Sequence, residues 1–228
     1  VKQEALPESI QLLSKNKTLE YLNQETLQQE LVHFAKDLKN IQLETLVKRI
    51  LAGIQGSLAI EELENWMIQV TSMAIAEEPE YSKLSARLLN SQIERKLTEQ
   101  GLHHFNDSIA YGYKVGLINE HVYELVKQNS LILNHGILPV NNDLFEYFGL
   151  RTIYDRYLLK DPKTRIVIES PQYFFLRVAC GLSKNAEEAL SFYKLISSFE
   201  YMPSTPTLFN SGTKHQQLSS CYLLDSPQ

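Results

Sequence analysis

The chain has 228 residues and a mass of 26.2 kDa, enough for one or two domains that each bury a core. Hydrophobic residues make up 43% of it and charged residues 21%, a composition that excludes disordered and fibrous proteins. The net charge of -5 argues against a nucleic-acid partner and against a basic patch that binds membranes.

The two cysteines, Cys180 and Cys221, are too few for the disulfide framework of a small secreted protein, so the sequence predicts a cytoplasmic location. No apolar run reaches the roughly 18 residues that a membrane span needs, and the start lacks a signal-peptide pattern. Because the chain begins at Val1 and Gln228 follows closely on an apolar run, we expect a fragment of a longer protein.

A hairpin and four helices are predicted over residues 1–100. Alternation around the polar cluster at residues 14–18 predicts the hairpin. Apolar residues at helical spacing then predict helices over 27–38, 43–50, 57–76 and 79–97, the first with Asn23 as its cap and the second ending near Gly53.

Gly101, His103, His104 and Asn106 break this pattern, so we expect a domain boundary near residue 100 and a second region over 101–200. It should contain short helices at 109–116, 119–129 and 143–148, followed by a hairpin whose strands are 153–159 and 165–168. Ser170 and Pro171 should open a helix that runs to Leu182. A further helix over 186–199 should point four side chains inward, namely Ala189, Phe192, Leu195 and Ile196. The last region, 201–228, should contain a strand at 218–224.

Hydroxyls, prolines and one thiol are concentrated in the last region. Thr205 precedes Pro206, which favours extended geometry and would turn its hydroxyl toward an anionic ligand. On a strand, Ser220 and Cys221 would face opposite sides. Two interpretations of Cys221 stay open from the residues alone: a small hydrophobic residue in a β core, or a thiol that donates electrons.

The other candidates favour structural interpretations. The pair His103 and His104 lacks a third ligand at metal-binding spacing, so no metal site is predicted. Cys180 lies in an apolar helix and should be a core residue. The acidic clusters should be solvated helix faces, and they comprise Glu61, Glu62, Glu64, Glu77, Glu78 and Glu80.

Three ordered blocks, at 149–159, 169–179 and 204–223, resemble the large catalytic subunit of class I ribonucleotide reductase. Residues 1–100 resemble, more weakly, the ATP-cone that precedes the catalytic part of this family. The resemblance implies a mainly α fold: an ATP-cone-like hairpin plus helix bundle, then a helical region that leads into the first strand of a ten-stranded α/β barrel.

The resemblance also implies an activity, the reduction of ribonucleoside diphosphates to deoxyribonucleotides by thiyl-radical chemistry. Cys221 matches the first redox cysteine, whose disulfide partner lies later in the family and outside this chain, as does the radical cysteine. Thr205 and Ser220, with Cys221, match positions that contact the substrate. The chain alone should therefore be inactive.

The implied partners are a small (beta) subunit that carries the radical metallocofactor, a thioredoxin or glutaredoxin, and further copies of the large subunit. No cofactor is expected in the large subunit itself, apart from ATP or dATP as allosteric effectors.

The first region departs from the ATP-cone pattern. Glu20 fits an acidic effector-binding position and Arg95 stands in for a late Lys, but Thr26 replaces a Lys and Gly56 a Thr. The turn at 14–18 also lacks the family's Lys-Arg-Asp-Gly sequence. Each lost charged hydrogen bond removes about 1.5 to 3 kcal/mol, so we expect weak binding of ATP and dATP.

Two alternatives remain. The chain could be a stand-alone regulatory or interaction module in which Cys221 is only a strand residue. It could instead belong to the cobalamin-dependent reductases, which resemble the Ser-Ser-Cys segment but match less of the block at 149–159.

Overall fold

The computed structural model describes residues 10–13, 19–54 and 56–221, and gives the backbone alone for residues 10–13 and 19–22. The described residues fall into two compact units. The first reaches Gln92 and includes Phe145–Arg151, and the second consists of Ile93–Leu144 and the residues from Thr152 onward. None of the described helices combines the length and the apolar character that a membrane crossing requires.

A small three-stranded sheet opens the first unit. Strands β1 (Ile10–Leu13) and β2 (Leu19–Leu22) pair antiparallel, which confirms the predicted hairpin. Strand β3 (Leu58–Ala59) pairs parallel with β1 on its other edge, giving the order β2-β1-β3. The prediction of helix from residue 57 is therefore wrong for β3, because two residues are too few to show a period and long-range pairing defines the strand.

Four helices follow in the predicted order: α1 (Gln24–Phe34), α2 (Leu43–Ala52), α3 (Ile60–Met73) and α4 (Tyr81–Glu99). Asn23 caps α1 as expected, since its side chain accepts a hydrogen bond from the Thr26 N–H at 2.9 Å. Helix α1 ends four residues before the predicted Leu38, and residues 74–76 form a 3-10 turn. The core of this unit is apolar and includes Leu27, Leu31, Leu46, Ile50, Met67 and Leu84.

The second unit contains α5 (Phe105–Lys114), α6 (Glu120–Gln128) and α7 (Ser130–His135), of which α7 was not predicted. A 3-10 turn covers Pro139–Leu144, and α8 (Tyr147–Thr152) begins later than the helix predicted over 143–148, most of it in the first unit. Then follow α9 (Pro171–Leu182), α10 (Ala186–Ser197) and α11 (Thr205–Asn210).

Helix α9 is the central element of the second unit. Ser170 caps it by accepting from the Tyr173 N–H at 3.2 Å, and Pro171 occupies its first turn, as predicted. Seven of its side chains are completely buried: Phe174, Phe175, Leu176, Arg177, Val178, Ala179 and Cys180. Such all-round burial is typical of a helix that neighbouring helices cover on every face.

Helix α10 packs on α9 but presents a different face from the one predicted. Ala189 and Ile196 are buried as expected, whereas Phe192 and Leu195 are 37% and 43% exposed. Tyr193 takes their place in the core, because its hydroxyl donates to the buried Gln172 side chain at 2.7 Å.

The predicted hairpin at 153–168 is wrong in both strands, because 165–168 contributes only one bridge residue, Val167. Ile153–Tyr157 forms a π-helical turn that continues α8, and a single antiparallel bridge between Lys160 and Val167 closes the following loop. β-branched and aromatic residues favour strands in general, but here they pack against the second unit's helices. Of the strand predicted at 218–224, residues 218–221 are irregular, and residues 222–224 lie outside the described residues.

Candidate functional site

The predicted substrate residues lie on the segment 204–221, which we call the tail. Thr205 is the first residue of α11, so the prediction that it is extended is wrong. The extended residue is Ser204, with φ -64° and ψ 156°, and Pro206 sits in the first helical turn. A proline is tolerated there because the N–H groups of the first turn have no partner within the helix.

Four hydroxyls cluster where α11 begins. The Tyr157 hydroxyl lies 3.3 Å from Thr205 Oγ1, and Ser204 Oγ lies 3.2 Å from Thr207 Oγ1. Thr207 in turn donates to the Leu218 carbonyl at 3.0 Å, which ties the end of the tail to α11. Ser204 and Thr205 are exposed, so the cluster lies at the surface of the second unit.

The two cysteines occupy opposite environments. Cys221 is exposed, and the neighbouring Ser220 hydroxyl contacts its sulfur at 4.0 Å. Cys180 is completely buried on α9, and desolvation raises the pKa of its thiol to about 12. The expected core position of Cys180 is confirmed, and Cys221 presents its thiol at the surface in the described structure.

A buried ion pair holds the tail to the rest of the unit. Arg177 on α9 and Glu169 are 0% and 2% exposed, and the guanidinium donates to both carboxylate oxygens, at 2.9 and 3.0 Å. A third nitrogen donates to the Ser211 carbonyl at 2.6 Å. Glu169 also accepts from the Leu159 N–H at 2.9 Å, so one charge pair joins α9, the preceding loop and the end of α11.

Close contact between the backbones of α9 and the tail adds to the hold of the Arg177–Glu169 pair. A Cβ added to Gly181 would lie 2.2 Å from the Gly212 nitrogen, so α9 and the tail touch at a place where only glycine fits. Ser211 donates its hydroxyl to the Val178 carbonyl at 2.7 Å. The Lys214 N–H reaches the Leu117 carbonyl at 2.9 Å. The tail is therefore fixed up to residue 214 by hydrogen bonds to α9 on one side and to the Leu117 carbonyl on the other.

The residues predicted to bind an effector lie on other elements than the tail. Glu20 lies in β2, and its side chain lies outside the described residues. Arg95 is on α4 and forms an ion pair with Glu99, one turn later. Thr26, where the ATP-cone pattern has Lys, completes a reciprocal cap because the Asn23 N–H donates to its hydroxyl at 3.0 Å. Gly56 has φ +77°, a left-handed conformation that favours glycine over threonine.

His103 and His104 line a cavity of about 330 Å³ between α4, α5 and the start of α9. Its buried polar side chains have partners within the unit: Gln172 donates to Asn142 at 2.8 Å, and Ser170 caps α9. Across the described ranges, no cluster of three His, Cys, Asp or Glu side chains is placed to hold a metal ion.

Sequence reasoning missed Tyr157, Glu169 and Arg177. An available signal was the arginine itself, since a charged residue inside the apolar run of α9 requires a buried partner. Glu169, eight residues earlier, is the nearest carboxylate in the sequence before it. Tyr157 carried no such signal, because its contact with Thr205 joins positions 48 residues apart.

Comparisons with known proteins agree on one family. Residues 143–216 match the family model of the ribonucleotide reductase all-alpha domain. The chain is 32% identical, over 95% of its length, to the ribonucleoside-diphosphate reductase subunit alpha of Chlamydia trachomatis, and 30% identical, over 96%, to that of Helicobacter pylori. It is 30% identical, over 84%, to the ribonucleoside-diphosphate reductase large chain 2 of Saccharomyces cerevisiae. The chain spans 22%, 28% and 22% of these three relatives, about a quarter of their length.

Proposed function

The chain is related in sequence to the N-terminal part of class I ribonucleotide reductase large (alpha) subunits, and we propose that it supplies such an enzyme with a redox thiol and part of its substrate site. The thiol is that of Cys221, and the substrate contacts are made by Thr205, Ser220 and Cys221. The remaining three quarters of the relatives' length would supply the radical cysteine and the second redox cysteine.

The proposed reaction replaces the 2′ hydroxyl of a ribonucleoside diphosphate by hydrogen. A thiyl radical first removes the 3′ hydrogen, the 2′ hydroxyl leaves as water, and the 3′ hydrogen is returned at the end. Cys221 and its partner thiol deliver two electrons and two protons and become a disulfide. A thioredoxin or glutaredoxin then reduces that disulfide, and the metallocofactor of a small (beta) subunit generates the radical.

The observation that carries this proposal is the contrast between the two thiols. Cys221 is exposed on a tail that is tied down through Ser211 and Thr207, whereas Cys180 is enclosed in the core. A thiol that exchanges electrons with substrate and with an outside reductant must be accessible and yet held in place. Of the two cysteines, Cys221 has both properties.

Weak binding of the allosteric effectors ATP and dATP is a further part of the proposal. The replacement of Lys by Thr26 supports weak effector binding, because it removes a cation that would bind a triphosphate, and Gly56 lacks the hydroxyl of the Thr that it replaces. We propose that residues 1–100 act mainly as a packing domain, in a cytoplasmic enzyme built from several large subunits.

The test uses the complete reductase, in which this chain is joined to, or mixed with, the rest of the large subunit and combined with the small subunit. We expect C221S to abolish multiple-turnover reduction of cytidine diphosphate with thioredoxin as reductant. C180S is the matched control, because it alters the other cysteine by the same single atom. It should retain turnover once the enzyme is folded.

Full activity of C221S would contradict the proposal. The alternative of a stand-alone module also predicts that C221S has no effect, since in that alternative the Cys221 thiol has no chemical role. The cobalamin-dependent alternative predicts turnover that requires added cobalamin and proceeds without the small subunit.

A further inference from the structure

We propose that Tyr157 is a positioning residue that orients the Thr205 hydroxyl as a hydrogen-bond donor to the phosphate oxygens of the substrate. This inference rests on the proposed function, because it requires that Thr205 contact a nucleoside diphosphate. It adds a residue outside the tail to that site and assigns a direction to the bond.

The first step concerns the hydroxyl pair beside Thr205. The Thr207 hydroxyl donates its single proton to the Leu218 carbonyl, with 3.0 Å between the two oxygens. Its oxygen is therefore the acceptor in the 3.2 Å contact with Ser204, and Ser204 must donate its own proton there. Neither Ser204 nor Thr207 then has a proton left for an anionic ligand.

Thr205 differs because its partner is a phenol. In the 3.3 Å contact between Tyr157 and Thr205 either oxygen can be the donor. A phenol is the stronger donor and an aliphatic hydroxyl oxygen the better acceptor, so the favoured arrangement has Tyr157 donating. The proton of Thr205 is then directed away from Tyr157, toward the exposed side where α11 begins.

The Tyr157 ring is held firmly enough to impose this direction. It stacks on Phe209 of α11 with ring centroids 4.5 Å apart and an interplanar angle of 29°, and it packs on Phe174 of α9 at 6.0 Å. The π-helical turn that carries it is closed by the Leu158 N–H, which donates to the Ile153 carbonyl at 3.0 Å. Because the ring is fixed by stacking, removing only its hydroxyl should leave α11 in place.

The experiment compares Y157F, T205V and the double variant in the complete reductase, with cytidine diphosphate as substrate. We expect Y157F to raise KM about three- to tenfold and to leave kcat within about twofold, as expected for one neutral hydrogen bond. T205V should raise KM about tenfold or more, and the double variant should match T205V alone. If Tyr157 had only a structural role, the effects of Y157F and T205V on KM would instead multiply in the double variant.

Y154F is the matched control, because it removes a hydroxyl from the same π-helical turn. That hydroxyl accepts a hydrogen bond from the Lys96 ammonium at 3.2 Å, on α4, so KM should stay unchanged. Thermal unfolding of each variant confirms that the fold is kept.

An unchanged KM in Y157F, or effects of Y157F and T205V that multiply independently, would overturn the inference. The C221S result separates this outcome from failure of the proposed function. An inactive C221S with an unchanged Y157F refutes only the role of Tyr157, whereas an active C221S refutes the proposed function itself.

Discussion

Helix α9 and the tail are in contact at Arg177–Gly181 and Ser211–Gly212, yet their side chains lie in opposite environments. Helix α9 has seven completely buried side chains, and burial raises the pKa of its thiol, Cys180, to about 12. The tail exposes Ser204, Thr205, Ser220 and the thiol of Cys221. A buried core helix therefore supports a segment whose hydroxyl and thiol groups are exposed.

The comparison shows what holds the exposed tail in position. An exposed segment has few apolar contacts of its own to fix it. The tail instead relies on polar anchors, of which the Arg177 bond to the Ser211 carbonyl is completely buried. The position of the tail thus depends on the buried pair of Arg177 and Glu169.

Breaking that charge pair should have the largest effect on stability. R177M leaves the Glu169 carboxylate buried without its cation, and we expect a loss of about 3 to 5 kcal/mol in the free energy of unfolding. It also frees the Ser211 carbonyl, so the tail should become accessible to protease before the rest of the unit unfolds. Urea denaturation and limited proteolysis measure the two effects.

K127M is the matched control, because it removes a cation from an exposed ion pair in the same unit. Lys127 and Glu124 lie 3.2 Å apart with side chains 59% and 39% exposed, and such pairs contribute about 0 to 1 kcal/mol. Equal losses in R177M and K127M would show that the tail does not depend on the buried pair.

A smaller effect should come from Asp161, which shapes the loop between the π-helical turn and α9. Its carboxylate accepts from the Thr164 and Lys163 N–H groups, both at 2.7 Å, and from the Tyr111 hydroxyl at 2.7 Å. The Thr164 bond contributes most to lowering its pKa from 3.8 to about 2, followed by the Tyr111 bond.

Because the folded-state pKa is lowered, the ionised form of Asp161 stabilises the fold above pH 4, and this contribution disappears as the pH falls through about 2. D161N should therefore have a lower Tm than the wild type between pH 5 and 8, by less than R177M. The difference in Tm between D161N and the wild type should become smaller between pH 4 and 2. A difference that stays constant down to pH 2 would contradict this assignment.

Much of the helical fold could be predicted from the sequence, because the signals are local. Ser170 and Pro171 define the start of α9, and Asn23 caps α1, so side-chain capping and apolar spacing were sufficient. The failures arise where tertiary contacts decide. Strand β3 exists only through its pairing with β1, and Ile153–Tyr157 is helical despite its strand-favouring residues.

The candidate site could be predicted only in part. Thr205, Ser220 and Cys221 were identified through a family resemblance to ordered blocks of sequence. Tyr157 and Glu169 could not be found in that way, because their contacts with Thr205 and Arg177 follow from how the chain packs. The extended conformation expected at Thr205 falls on Ser204 instead, a shift of one residue that proline statistics do not resolve.

The most direct test of the central claim, that Cys221 is the redox thiol and Cys180 a core residue, is differential alkylation of the complete reductase read by mass spectrometry. Reduced enzyme is labelled with iodoacetamide before and after one turnover without an external reductant. The account predicts that Cys221 is labelled before turnover and afterwards is protected in a disulfide. Cys180 should be labelled only after denaturation. Formation of deoxynucleotide while Cys221 stays free for labelling would contradict the account.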